Sequence, residues 1–193
     1  MEKIDTDMSN GPLAGQDLEL LKKISAGDEE AFRQLYDLTH QKVYVYLYRL
    51  VHGKQTAEDI LMETYTEVWR CAKKFKGNSR ATTWIMGIAR NLAMNELGKF
   101  RRHDNIDNFP NLSNGVIPDP EPMDRQRRLK EAMTKIPVKH REILDLVFFH
   151  EMTYQEVSQV LDIPVNTVKT RVFYAKETLK NALSSMGVKR DDL

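Results

Sequence analysis

The sequence predicts an all-α protein, built as two small helical domains joined by a flexible linker. Three observations carry that prediction. Apolar residues recur every three or four positions through both halves of the chain, which is the period of a helix face. Several of those runs open on a capping signal. No stretch sustains the period-two alternation that a half-buried strand requires.

Taken in order, residues 1–22 resemble a tail, within which Leu18, Leu20 and Leu21 run towards Ile24 as the start of a first helix. Asp28 precedes Glu29, Glu30, Ala31 and Phe32, an N-cap followed by acids in the first turn, where the helix dipole favours them. Phe32, Leu35 and Tyr36 follow at helix spacing. Val43, Leu47, Leu50 and Val51 continue it and stop at His52-Gly53, a C-cap signal. Thr56 with Asp59 resembles a capping box with the shorter acid, leading into Ile60, Leu61, Val68 and Trp69. Trp84, Ile85, Ile88, Ala89, Leu92, Ala93 and Leu97 form a further stripe. Trp69 and Trp84 lie on apolar stripes and are assigned to the core, whereas Phe75 fits core and base stacking equally well.

Four of the seven prolines (Pro110, Pro118, Pro120, Pro122) then fall among Asn105, Asn108, Asn111, Asn114 and Gly115. Proline removes backbone donors and this composition favours turns, so residues 104–123 read as a linker. It separates a first domain over residues 23–103 from a second over 124–186, with a short tail at 187–193. Leu129, Ala132, Met133 and Ile136 form one stripe of the second domain, ended by Pro137. Ile143, Leu144, Leu146, Val147 and Phe148 form the next.

The sharpest local pattern is Thr153–Lys176. Thr153 and Glu156 make a capping box, and Val157, Val160 and Leu161 give the short helix one buried face. Ser158 is small enough for close helix approach. Asp162 stands at the turn position, and Pro164 disfavours helix at Ile163. A second helix turns Val168 and Val172 inward and offers Asn166, Thr167, Lys169, Thr170, Arg171 and Tyr174 outward. A short helix supporting a second one with polar residues near its N-terminus is the arrangement that reads a major groove. An ordinary αα-hairpin is the competing reading, but so polar a second helix lacks the wide apolar stripe a bundle needs.

Composition narrows the function classes. With 41% hydrophobic and 30% charged residues in 193, the chain can bury a core. No apolar run approaches the ~20 residues that span a bilayer, and the N-terminus lacks a secretory pattern. The single Cys71 fits a reducing compartment, so a cytoplasmic protein is expected. Charge is nearly balanced overall but unevenly spread. Residues 1–68 carry a net −6, whereas residues 69–103 carry nine basic side chains against Glu96 alone. Such a basic segment beside an acidic one suits a polyanion on one face and another partner on the next.

Two blocks then resemble a known family. The run from Ala57 to Tyr65, then Trp69, Phe75-Lys76-Gly77 and Trp84–Asn91, resembles region two of a bacterial sigma factor. Leu129–Lys176, with Ile136-Pro137, Arg141-Glu142 and Thr167–Arg171, resembles region four. Both blocks in this order, with no region three, resemble the extracytoplasmic-function group. The chain departs from the family pattern at Met62, where Gln is common, at Asn95 and Gly98, where Asp and Arg are usual, and at Pro164, in place of a Ser cap.

The resemblance implies a transcription initiation factor, not an enzyme, with no cofactor. Its partners would be core RNA polymerase, promoter DNA (duplex at −35, melted at −10) and an anti-sigma factor, with no membrane insertion. Glu58, Asp59, Met62, Glu63 and Glu67 would dock on the polymerase clamp. Lys74, Lys76, Asn78, Ser79, Arg80 and Thr83 would take a flipped −10 base, and Arg90, Asn91, Lys99, Arg101 and Arg102 would hold phosphates along the next helix. Single-strand binding needs cations and pockets of this kind. Asn166, Thr167, Lys169 and Thr170 would read the −35 element, with Arg171 and Lys176 on its phosphates.

Rival readings are few. A two-domain helix-turn-helix regulator would bind duplex DNA without polymerase. A nuclease would need acids or histidines on the basic face, where Glu96 stands alone. His40, His52, His103, His140 and His150 show no metal spacing, Cys71 has no CxxC partner, and phosphate-loop and nucleophile-elbow motifs are absent.

Overall fold

The computed structural model describes residues 12–103 and 124–187. Eight α-helices appear among them: α1 (Pro12–Ser25), α2 (Glu29–Val51), α3 (Lys54–Cys71), α4 (Ala81–His103), α5 (Asp124–Lys135), α6 (Val138–Leu144), α7 (Tyr154–Leu161) and α8 (Val165–Ser185). The all-α expectation holds. The Pro- and Asn-rich segment assigned as a linker, residues 104–123, lies outside the described residues, as do 1–11 and 188–193. The tail expected over residues 1–22 gives way at Pro12, because Leu21 and Ile24 of α1 bury themselves against the rest of the bundle.

Local chemistry sets most helix ends. Asp28 caps α2 as its position suggests, its Oδ1 accepting from the Ala31 N–H at 3.0 Å. Asp28→Ala is expected to cost about 1 kcal/mol of unfolding free energy, measured by urea titration. His52 ends α2 in the left-handed region (φ 55°), and its N–H donates to the Tyr48 carbonyl. Thr56 does not cap α3, however. The helix starts earlier, at Lys54 after an extended Gly53, so Thr56 sits within the first turn and Asp59 accepts instead from Gln55. Nothing in the spacing of Thr56 and Asp59 distinguishes the cap from the first turn.

Helices α2, α3 and α4 pack against one another, with α1 laid across them; α5, α6 and α7 pack on α8. The two bundles are also in contact. Helix α7 lies along α4, and buried apolar residues from both halves form one continuous cluster, from Leu35, Val68 and Ile85 to Leu146, Val157 and Val172. The two helical domains therefore share an apolar contact in this arrangement. Polar groups line the junction: Arg49 pairs with Asp145, Tyr46 donates to Glu142, and Arg141 meets the imidazole of His52.

Burial, and then the Arg141 guanidinium, hold His52 below the usual 6.5. The unfolded chain thus takes up that proton before the folded one does, and stability falls as pH drops through 6.5. Urea midpoints are expected to decline between about pH 7.5 and 5.5, and His52→Gln should flatten that decline.

The chain after α6 departs from a regular helix. Asp145–Phe149 forms a π-turn closed by the His150 N–H on the Asp145 carbonyl, and Glu151 adopts a φ of 53°. The wider turn shifts the register of the apolar stripe, so Leu146 is buried while Phe148 is 53% exposed. The expectation that Phe148 belongs to the core is corrected on that ground.

Candidate nucleic-acid interface

The basic segment runs from the end of α3 through the following turn and loop and along α4. A 3-10 turn, Ala72–Lys74, ends α3 and leaves Lys73 and Lys74 exposed. The loop from Phe75 to Arg80 then leads into α4, with Lys76 and Asn78 exposed and Ser79 half-buried. Gly77 turns the loop at φ +72°, where a Cβ would be strained and would lie 3.3 Å from the Leu18 side chain of α1. Helix α1 anchors the loop's far end as well: Asp17 Oδ2 accepts from the Ala81 N–H at 2.9 Å, answering a first-turn donor of α4. Phe75 packs on Trp84 with ring centroids 5.3 Å apart, so both are half-buried and neither is a free stacking platform.

Several expected DNA contacts are engaged by the second bundle. Arg80 Nε donates to Glu156 Oε1 at 2.6 Å, and Thr83 Oγ1 donates to the same oxygen at 3.2 Å. Thr83 is consequently buried, on the covered side of α4. Arg90 donates to Glu142 at 2.7 Å and is half-buried. The hydrogen bond that Arg80 donates to Glu156 raises the Arg80 pKa further. Burial opposes charge on Glu156, yet hydrogen bonds from Arg80 and Thr153 leave its carboxyl below the usual value. Asn91 and Lys99 are exposed, with Lys99 paired to Glu96 at 2.9 Å. Arg101 and Arg102 lie in the last turn of α4, and their side chains fall outside the described residues.

The second bundle forms the two helices and the turn that the sequence suggests. Thr153 Oγ1 accepts from the Glu156 N–H and Glu156 accepts from the Thr153 N–H, a complete capping box. Asp162 adopts the left-handed conformation (φ 52°) required by the turn, and Ser158 Oγ donates to the Ile163 carbonyl across it. With Val168 and Val172 buried, Asn166, Thr167, Lys169 and Thr170 stand exposed on the first turns of α8. Arg171 is half-buried, and Lys176 lies 5.1 Å above the Phe148 ring. Four polar side chains exposed at the N-terminal end of a helix are the arrangement that major-groove reading requires, although the Thr170 hydroxyl donates to the Asn166 carbonyl at 3.0 Å.

The acidic face expected for a protein partner lies on α3. Asp59, Met62 and Glu63 are exposed; Glu58 and Glu67 are half-buried, Glu67 accepting from Arg70. Near it, Glu29, Phe32, Arg33, Tyr36 and Trp69 line an open groove of about 420 Å³. Trp69 is edge-on to Phe32 at the groove and is exposed, where its position on the α3 stripe suggests core. Asp17, Tyr46, Glu142 and Glu156 were not legible as site residues, since each acts across a contact far away in sequence. Among the described residues no group of three or more His, Cys, Asp or Glu could hold a metal ion. No helix among them is long and apolar enough to cross a membrane.

Comparison with known proteins returns the same two blocks. Residues 35–103 match the sigma-70 region 2 family model, and residues 126–179 match that of sigma-70 region 4. The extracytoplasmic-function RNA polymerase sigma factor SigW of Bacillus subtilis is 26% identical over 179 residues, spanning 86% of this chain and 96% of its own. The RNA polymerase sigma-H factor of Pseudomonas aeruginosa is 28% identical over 184 residues, covering 89% and 95%. Among solved structures, the sigma factor RpoE in complex with the anti-sigma factor NepR, from Bartonella quintana, superposes with a TM-score of 0.68 at 21% identity, covering 79% of this chain and 96% of that one. CnrH in complex with the cytosolic domain of CnrY gives 0.65 at 21% identity, covering 88% and 98%. At that identity the two structures speak to the fold.

Proposed function

The chain belongs to the sigma-70 family, as a sigma factor of the extracytoplasmic-function type, and from that premise we infer that it carries core RNA polymerase to promoters in the cytoplasm and makes no bond itself. The observation that carries the reading is the pairing of two unlike surfaces in one chain. One is a capped helix-turn-helix with Asn166, Thr167, Lys169 and Thr170 free to read the −35 duplex. The other is a basic loop and helix suited to a melted strand, with Lys74, Lys76, Asn78 and Ser79 lying in the chain between α3 and α4. Arg80, Thr83 and Arg90, here paired with Glu156 of α7 and Glu142 of α6, belong to the same surface, and Asn91, Lys99, Arg101 and Arg102 continue it along α4. Arg171 and Lys176 supply phosphate contacts on the −35 side.

The face of α3 with Glu58, Asp59, Met62, Glu63 and Glu67 is assigned to the polymerase. Exposed acids around one apolar side chain suit a basic surface with an apolar centre. An inhibitory protein partner is added on the strength of the RpoE relative, which is held by an anti-sigma factor. The test is run-off transcription with core polymerase on a genomic promoter library. Start sites that depend on this chain, with a shared −10 and −35 pattern, support the reading. Duplex binding without any dependence of transcription on the chain would replace it with a plain helix-turn-helix regulator.

A further inference from the structure

Helix α4 takes the acceptor for its first amide from outside the loop that precedes it. The Trp84 N–H donates to the Arg80 carbonyl at 3.2 Å, which makes Arg80 the N-cap of α4. A guanidinium carries donors only, so the Arg80 side chain has nothing to offer the first amides of the helix. Ala81 is fully buried, and an unanswered N–H there is costly. Its acceptor is Asp17 Oδ2 of α1, at 2.9 Å and 64 residues away in the chain. The next residue of α1, Leu18, lies behind Gly77, the positive-φ residue at the middle of the loop. Leu21 and Ile24 seat α1 in the core, and α1 also packs on the 3-10 turn where the loop begins. At that near end the Phe75 N–H closes on the Ala72 carbonyl at 3.1 Å.

We propose that Asp17 is a positioning residue for base selection at the −10 element: by fixing the Ala81 amide it sets where Asn78 and Ser79 stand. The proposal rests on the −10 assignment made above. Asp17 touches no nucleotide in this reading and acts through the backbone at the start of α4. The loop divides at Gly77. Lys74 and Lys76 precede the bend, are exposed, and attract any strand through its phosphates. Asn78 and Ser79 lie between the bend and the anchored amide, and their polar groups are the ones able to tell one base from another. Loss of the anchor frees the discriminating half of the loop and leaves the electrostatic half in place. Selectivity, more than affinity, is what Asp17 controls, because a site holds its geometry only as well as the groups that support it.

The test uses the full chain with core polymerase, one promoter whose transcription depends on it, and versions of that promoter with single base changes in the −10 element. The quantity read is the ratio of run-off transcript from the parent promoter to that from each altered one. Asp17→Leu is expected to lower the ratio about three- to tenfold at one −10 position, the size of effect of a lost helix cap. Asp17→Asn keeps an oxygen that accepts from Ala81 and is expected to retain the ratio. Leu18→Ala loosens the backing of Gly77, keeps the Asp17 acceptor, and is expected to lower the ratio at the same position. A merely weakened bundle would reduce transcript from every promoter alike and leave the ratio where it was. A ratio unchanged in whichever of Asp17→Leu and Leu18→Ala still transcribes, or lost equally in Asp17→Asn, overturns the proposal while the function stands. If no promoter depends on the chain, the −10 assignment and the proposal fall together.

Discussion

Leu47→Ala is expected to lower the unfolding free energy by about 2–5 kcal/mol. Leu47 is fully buried on α2, on the face that packs against α3 and α4. Truncation removes the transfer free energy of the lost methylene and methyl groups and leaves a cavity that three packed helices cannot fill by a local shift. Urea titration at fixed slope reads the loss as a lower midpoint. Leu38 lies on the same helix at 67% exposure, and Leu38→Ala should change stability by less than about 0.5 kcal/mol. Equal losses at the two positions would mean that α2 buries a different face from the one described.

Lys169→Ala carries the largest expected effect on recognition. Its ammonium stands exposed on the second turn of α8, beside Asn166 and Thr170, whose hydroxyl is already returned to the Asn166 carbonyl at 3.0 Å. If Lys169 reads a base edge, its loss costs about 1–3 kcal/mol on the preferred −35 sequence and less on others. A loss of the same size on every duplex, with a shallower dependence of affinity on salt, would make it a phosphate contact. The measurement is a salt-resolved titration of duplexes that differ only within the −35 element.

What could be read before any coordinates follows from the range of the interactions involved. The capping box of Thr153 and Glu156, the Asp28 cap and the left-handed Asp162 act within three to five residues, and composition records them directly. Apolar periodicity located the core faces of α2, α4 and α8 for the same reason. Errors arose where one pattern admits two registers. Thr56 and Asp59 fit a cap or a first turn, and only the extended Gly53 separates the two. The π-turn at Asp145–Phe149 shifts the stripe by one residue and carries Phe148 outward, with no marker in its composition. Asp17, Tyr46, Glu142 and Glu156 carry no local sign of these contacts, because their partners lie far along the chain: Asp17 meets Ala81, Glu142 meets Tyr46 and Arg90, and Glu156 meets Arg80. A net charge of +8 over residues 69–103 identifies a polyanion surface but cannot say which of its cations are already answered.

The hydrogen bond from the Ala81 amide to Asp17 bears on how the protein can be cut into working pieces. The region 2 match begins at residue 35, past all of α1 and the first turns of α2. A fragment trimmed to that boundary would shed Leu21 and Ile24 from the core, strip α4 of the acceptor at its start, and release the glycine bend that Leu18 backs. The loop from Phe75 to Arg80 is therefore braced by a segment that the matched boundaries leave out. The N-terminal bundle includes α1 from Pro12, so a truncation drawn from the match alone would remove the brace.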